Sequence, residues 1–233
     1  RTFPATEDYA WQSQRPVGQY RRVGGMWVFE GAYTYRGMRI VPGWGGSMFE
    51  ALMPSLFLPE ERWAPRSWGA NHVLTVRAHR EHGLWDAGYG YWGFSPASRP
   101  GGGYGEWGVG AIGMNPRGYP SALDGGRADG VVTPHALLLA APYDPRGAFD
   151  ALESIERELC AYGDGGFYDA IAVPSGHVAR TYLALDQSII LGAIGNLLCD
   201  GMLRRYFCRP RVTRALRSLL AMERFEVIGR RPA

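Results

Sequence analysis

Residues 89–135 constrain the fold more than any other part of the chain, because they carry no structural period. Neither a helical nor an alternating pattern of apolar residues runs through them, yet Tyr89, Tyr91, Trp92, Phe94, Tyr104, Trp107 and Tyr119 all fall there among repeated glycines. Long loops inside compact domains are uncommon unless they have a task or are disordered. Disordered segments are poor in aromatics, so disorder does not fit. Glu106, Asp124 and Asp129 lie in the same stretch, with Asp86 just before it. Flat aromatic faces, close-approaching glycine backbone and carboxylates together suit a groove for sugars, whose rings offer C–H faces to stack on and hydroxyls to bond.

The rest of the chain reads as helices between glycine- and aromatic-rich loops. Residues 1–42 form an aromatic wall segment, in which VGGMWVFEGAYTYRGMRIV has the pattern of a short hairpin. From Ser47 the apolar spacing turns helical, and Pro54 should end that helix early. Residues 67–82 predict an amphipathic helix through Ala70, Val73, Leu74 and Ala78, with His72, His79 and His82 on its solvent face. Thr133-Pro134 and Asp144-Pro145 are start signals, the second for a helix to about Ala161 with Phe149, Leu152, Ile155 and Leu159 inward. The segment from Asp186 to Cys199 is apolar on nearly every side, which predicts an inner, buried helix. A basic amphipathic helix over 211–222 closes the pattern. The expectation is a single, mainly all-α domain of about six helices with no sheet.

Composition excludes several classes. A net charge of +3 over 233 residues is too small to argue for nucleic acid or an anionic membrane, and no apolar run has membrane-spanning length. All 25 basic residues are arginine, which reads as codon usage and not as a binding patch. Cys160, Cys199 and Cys208 lack metal-ligand spacing, and His79 and His82 have no third ligand nearby, so neither a metal nor another cofactor is expected. Gly103-Tyr-Gly105-Glu-Trp-Gly108 fits a dinucleotide-loop spacing, but a coil precedes it and no βαβ unit follows. No G-x-S-x-G elbow or Cys–His pairing occurs.

Among the carboxylates, Glu50 flanks the apolar face of Met53 and Phe57, an environment that keeps a general acid protonated. The bland alternative is a solvated helix glutamate. Asp186 opens the most apolar helix, either as a cap or as a carboxylate kept ionised by the helix dipole, as a base must be. Asp129 and Asp169 are loop carboxylates beside aromatics, and turn formation alone would also explain them.

The motifs GWGGSMFEALMPSLFLPE, YWGFSPAS, ADGVVTPHALLLAAPYDP, YGDGGFYDAI and YLALDQSIILGAIGNLLCDGMLRRYF occur in the order found in the glucoamylase-like domain family. Over about residues 40–208 the chain resembles endo-β-1,2-glucanases of glycoside hydrolase family 144 and the cyclising region of cyclic β-1,2-glucan synthases. Two positions depart from the synthase pattern. Pro96 stands where that branch has glutamate after its WG-x-S motif, and Asp186 where it has histidine.

The resemblance implies an (α/α)6-type toroid, or its C-terminal part, with helices and cleft loops over 43–222. A missing N-terminal half, a second chain or an open ring would account for the low helix count. It also implies a glycoside hydrolase or transglycosylase on a bacterial β-glucan, most simply β-1,2-linked, and a secreted or periplasmic setting. Glu50 matches the family's F-E glutamate, Asp186 its D-Q aspartate, Asp129 the aspartate before G-x-x-x-P, and Asp169 the acidic position of its YGF-x-D/E segment. Glu50 would protonate the leaving oxygen and Asp186 would activate water or serve as the second carboxylate. Asp129 and Asp169 would hold sugar hydroxyls or relay protons and Gln187 would bind substrate, with Trp92, Tyr91, Trp107, Trp44 and Tyr168 as stacking faces. The alternatives are a non-catalytic glucan-binding module of the same fold and a hydrolase of another bacterial polysaccharide.

Overall fold

The computed structural model describes residues 12, 14–115, 130–226 and 228. Its content is mixed, 45% helix and 19% strand, which corrects the expectation of an all-α chain without sheet. The strands are short and lie in the loops. At the N-terminal side, β1 (Val17–Val23), β2 (Met26–Tyr35) and β3 (Met38–Ile40) form an antiparallel meander in which Tyr20 faces Phe29 and Tyr33 faces Ile40. Gly24 and Gly25, with φ of +57° and +87°, supply the left-handed backbone that joins β1 to β2.

Helix α1 (Met48–Leu52) opens with a capping box: Ser47 Oγ accepts the Glu50 N–H, and the Glu50 carboxylate accepts the Ser47 N–H. At Pro54 the chain tightens into a 3-10 turn, Met53–Leu56, as the sequence predicts. A short α2 (Glu60–Trp63) leads to α3 (Trp68–Glu81). The buried face of α3 is not the expected one. Val73 points to water, while Asn71, His72, Thr75 and His79 are buried and His82 follows them inward. Buried polar groups need partners, and the interior supplies them. Asn71 clamps the Val41 peptide group, His72 meets Glu60 at 3.0 Å, and Thr75 donates to the Asn71 carbonyl. His79 Nε2 lies 3.0 Å from the Gly46 carbonyl.

After β4 (Ala97–Ser98), β5 (Tyr104–Gly105) and β6 (Val131–Val132), α4 (Pro134–Ala140) is buried along its whole length. This helix, and not the one from Asp186, is the inner one. It packs against α1, α5 and α6 and carries Leu137 and Leu139 into the centre of the core beside Met48, Leu52 and Phe94. Burial of one such leucine contributes about 2 kcal/mol. Helix α5 (Pro145–Leu159) starts where Asp144 Oδ1 accepts the Gly147 N–H, and turns Leu152 and Ile155 inward. Phe149, expected inward, is half exposed.

Three further hairpin strands, β7 (Tyr162–Gly163), β8 (Gly166–Phe167) and β9 (Ala170–Ala172), precede β10 (His177–Ala179). One small sheet has the order β10-β9-β6, which ties the 170–179 hairpin to the segment entering α4. Helix α6 (Ala184–Leu198) buries only one side, and Leu185, Leu191, Leu197 and Leu198 are exposed. Helices α7 (Met202–Phe207) and α8 (Pro210–Met222) follow, with Leu220 joining Val41, Trp68 and Phe225 in a second small core. No described helix is long and apolar enough to cross a membrane.

Candidate active site

The first turn of α6, the first turn of α4 and the segment between β8 and β9 converge on three titratable side chains. Asp186, Asp169 and His135 are each at most 2% exposed. Helix α4 is otherwise apolar, so packing it drags His135 inward. Asp169 is fixed at both ends of the residue. Its N–H donates to the Thr181 carbonyl at 3.1 Å, and its Oδ2 accepts the Ser98 N–H at 2.7 Å. Thr181 Oγ1 in turn reaches Ser98 Oγ at 3.1 Å, so the β4–β5 hairpin and the chain entering α6 brace the same carboxylate. Tyr104 stands opposite Ser98 across that hairpin and is half exposed, forming the outer side of the site.

Burial, and then the hydrogen bond and charge of Asp169 beside it, push Asp186 up to about 8. Asp186 is therefore a protonated acid near neutral pH, not the ionised base its helix position suggests. The dipole of a helix N-terminus contributes at most about 2 kcal/mol, too little against desolvation and a second carboxylate. Burial holds His135 down to about 4, so the ring is neutral, although the Asp169 charge pulls the other way. Tyr104 is raised by burial and by Asp186, Asp169 and Glu106, which marks Glu106 as part of the same acidic field.

His135 Nδ1 lies 3.7 Å from Asp186 Oδ2, too long for a hydrogen bond. Both ring nitrogens of His135, Asp169 Oδ1 and Asp186 Oδ2 are buried without a hydrogen-bond partner among the described residues. Four unmet polar atoms in one place are costly, at roughly 1–3 kcal/mol each. A hydroxyl-rich ligand or water would satisfy them.

Beside this group lies an aromatic platform. Tyr168 and Tyr182 stack at 5.3 Å with planes 30° apart, and the Arg180 guanidinium sits 5.7 Å from the Tyr168 ring centre. Gly163 and Gly165 pass so close beneath that a Cβ on Gly163 would fall 2.4 Å from the Tyr168 hydroxyl. Gln187 does not point to solvent; it donates to the Phe167 carbonyl at 3.0 Å and so anchors the strand leading to Asp169.

The other sequence candidates are scattered around this centre. Glu50 is half-buried, with its oxygens accepting the Gly45 and Ser47 N–H groups, and a Cβ on Gly43 would come within 2.9 Å of Oε2. Helices α1 and α6 both pack on α4, so Glu50 and Asp186 ride on helices flanking one inner helix. Trp44 is 48% exposed on the loop before Glu50 and offers a stacking face. Trp92 and Trp107, at 2% and 5%, belong to the core and offer none, a correction to their expected role. Glycine lets the chain fold over them: a Cβ on Gly105 would strike the Trp107 ring at 2.4 Å. Tyr91 donates its hydroxyl to Glu158 on α5 at 2.5 Å. Asp129 lies outside the described residues.

Residues 21–210 match the Glycoamylase family of glucoamylase-like domains. The chain belongs to the glucoamylase-like family. This glucoamylase-like chain is 30% identical over 191 residues to a cyclic β-(1,2)-glucan synthase of Rhizobium meliloti (strain 1021), covering 76% of the chain but 6% of that protein. Its fold resembles an endo-β-1,2-glucanase from Chitinophaga pinensis, solved with sophorotriose and glucose, at a TM-score of 0.63 and 22% identity, over 81% of this chain and 45% of that one. A β-1,2-glucanase from Parabacteroides distasonis also aligns at 0.63, with 19% identity, over 82% of this chain and 27% of that one. The glucoamylase-like chain thus spans less than half the length of each of these relatives.

Sequence reasoning about this glucoamylase-like chain gives no role to His135, Tyr182 or Arg180, and reads Tyr104 and Glu106 only as members of the aromatic, acidic loop. A signal exists for His135: it is the one titratable residue in the apolar run from Val131 to Ala141, so any helix formed there must bury it.

Proposed function

We propose that the chain acts on a β-glucan, most simply a β-1,2-linked one, as a glycoside hydrolase or transglycosylase. The observation that carries this reading is the buried Asp169–Asp186 pair with a raised acid and four unmet polar atoms, beside a partly exposed tyrosine platform. Asp186, protonated near neutrality, gives its proton to the glycosidic oxygen as the bond to the anomeric carbon breaks. Asp169 keeps that proton on Asp186 until transfer, solvent returns a proton to Asp186 after the product leaves, and neutral His135 packs beside the pair. Glu50, accepting from two backbone N–H groups, takes the place of the second carboxylate on the water side; this exchanges the roles that the family resemblance implies for Glu50 and Asp186. Tyr168, Tyr182, Tyr104 and Trp44 supply ring faces, and Asp129 a hydroxyl contact. The helices over 43–222 are read as part of an (α/α)6-type toroid.

A second reading, glucan binding without hydrolysis, is favoured by one observation: Glu50 is already committed to the capping box of α1. Incubating the chain with a panel of glucans and resolving products by thin-layer chromatography separates the two. Release of shorter sugars from β-1,2-glucan, lost in Asp186→Asn, supports the first. Binding by calorimetry with no product from any glucan leaves only the second.

A further inference from the structure

Beyond the tyrosine platform lies a cleft of about 510 Å³, lined by Pro100, Cys160, Gly176, His177, Val178 and Arg180 among others. Its size falls in the range of small-molecule sites. Its walls are the turn between β4 and β5, the end of α5 and the edge strand β10. These walls continue the structure that builds the acid pair. Pro100 is two residues from Ser98, which holds Asp169, and Arg180 adjoins Thr181, which holds both Ser98 and the Asp169 backbone. Arg180 also covers Tyr168, the residue before Asp169.

The chemistry of the cleft differs from that of the acid pair. Among the described residues no carboxylate lines it and Arg180 makes no ion pair. A guanidinium held against an aromatic ring with its N–H donors unspent is a preorganised group for sugar hydroxyls. His177, exposed on β10, adds a second polar group, and Pro100 and Val178 add apolar surface for a ring face. We propose that this cleft is a distal glucosyl-binding subsite of the same groove, with Arg180 and His177 as its polar contacts. The proposal rests on the glucan reading given above and adds that the chain grips an extended oligosaccharide, not a disaccharide.

The test is calorimetry with purified β-1,2-linked glucooligosaccharides of two to seven units on the wild type, Arg180→Ala, His177→Ala and Asp186→Asn. Affinity in the wild type should rise with length. Arg180→Ala and His177→Ala should each weaken the longest oligosaccharides about tenfold, the scale of one lost hydrogen bond to a charged or polar donor, and His177→Ala should leave the disaccharide unchanged. Asp186→Asn should abolish cleavage and keep the dependence on length. An affinity independent of length, or an equal loss at all lengths in both subsite variants, overturns the subsite while leaving the glucan reading intact. If no oligosaccharide binds at all, both fall. His177→Ala, on an exposed strand end, guards against misfolding, and melting curves should superimpose on the wild type.

Discussion

Asp186 and Asp169 lie together in one buried position, although the hairpin and turn of residues 170–185 separate them in the chain. Two carboxyls taken from water together cannot both ionise cheaply, so the pair stores an acid at a pH where a lone aspartate has none. Under the proposed mechanism activity needs the protonated form. The alkaline limb of the rate should therefore fall as pH rises through about 8. Asp169→Asn removes the neighbouring charge but not the burial, so the limb should move toward lower pH without reaching an ordinary carboxylate value. A pH profile of kcat/KM for both proteins checks this, and an unmoved limb excludes the pair as its origin.

Stability should be bell-shaped in pH. Asp186, raised when folded to about 8, favours folding at low pH and loses that contribution as pH climbs from its unfolded value through about 8. His135 and His79, lowered to about 4 and about 3 by burial, act in the opposite direction: the unfolded chain takes up their protons below about 6.5. Between about 4 and 6.5 the unfolded state binds one proton more, and between about 6.5 and 8 one fewer, counting these three groups. The melting temperature should peak near pH 6.5, and Asp186→Asn should flatten the alkaline side and steepen the acid side, because the Asp186 proton opposes the two histidines there. Differential scanning calorimetry across that range decides it.

Glu50 has a structural duty and a proposed chemical one, and two substitutions separate them. Glutamine still completes a capping box, so Glu50→Gln should keep stability within about 1 kcal/mol while sugar release collapses. Ser47→Ala removes the cap hydroxyl and should cost about 1 kcal/mol with the activity largely kept. Equal activity in Glu50→Gln and wild type would reduce Glu50 to its cap.

Leu137, buried in α4 where a Cβ on Gly93 would come within 3.2 Å of it, tests the placement of the core. Leu137→Ala should destabilise by about 3 kcal/mol, read as a drop in urea midpoint. Phe149→Ala, on the exposed side of α5, should change it by less than about 1 kcal/mol.

The helices are largely legible in the sequence because caps and prolines mark them. Pro54, Thr133-Pro134 and Asp144-Pro145 fall where the structure begins or ends a turn. The small sheets are not, since strands such as Ala97–Ser98 and Tyr162–Gly163 are too short to show an alternating pattern. The burial of His72 and His79 is hidden as well: polarity alone points them to solvent, whereas Glu60 and the Gly46 carbonyl wait inside to receive them. Composition assigns Trp92 and Trp107 to a groove, but glycine packs against a tryptophan as readily as it exposes one. At the site, Asp169 and Asp186 are visible as single residues. Their coupling is not, because it depends on a hairpin closing between them.

Helix α6 leaves one last consequence. Leu191, Ile194 and Leu198 recur at a spacing that lines them along one side, 72%, 37% and 79% exposed, with Tyr206 and Phe207 of α7 adding to the exposed apolar surface. The chain on its own should behave as a weak surfactant, clumping as its concentration rises. Light scattering on Leu191→Gln, which should stay clear at concentrations that cloud the wild type, would tell a purifier where the stickiness resides.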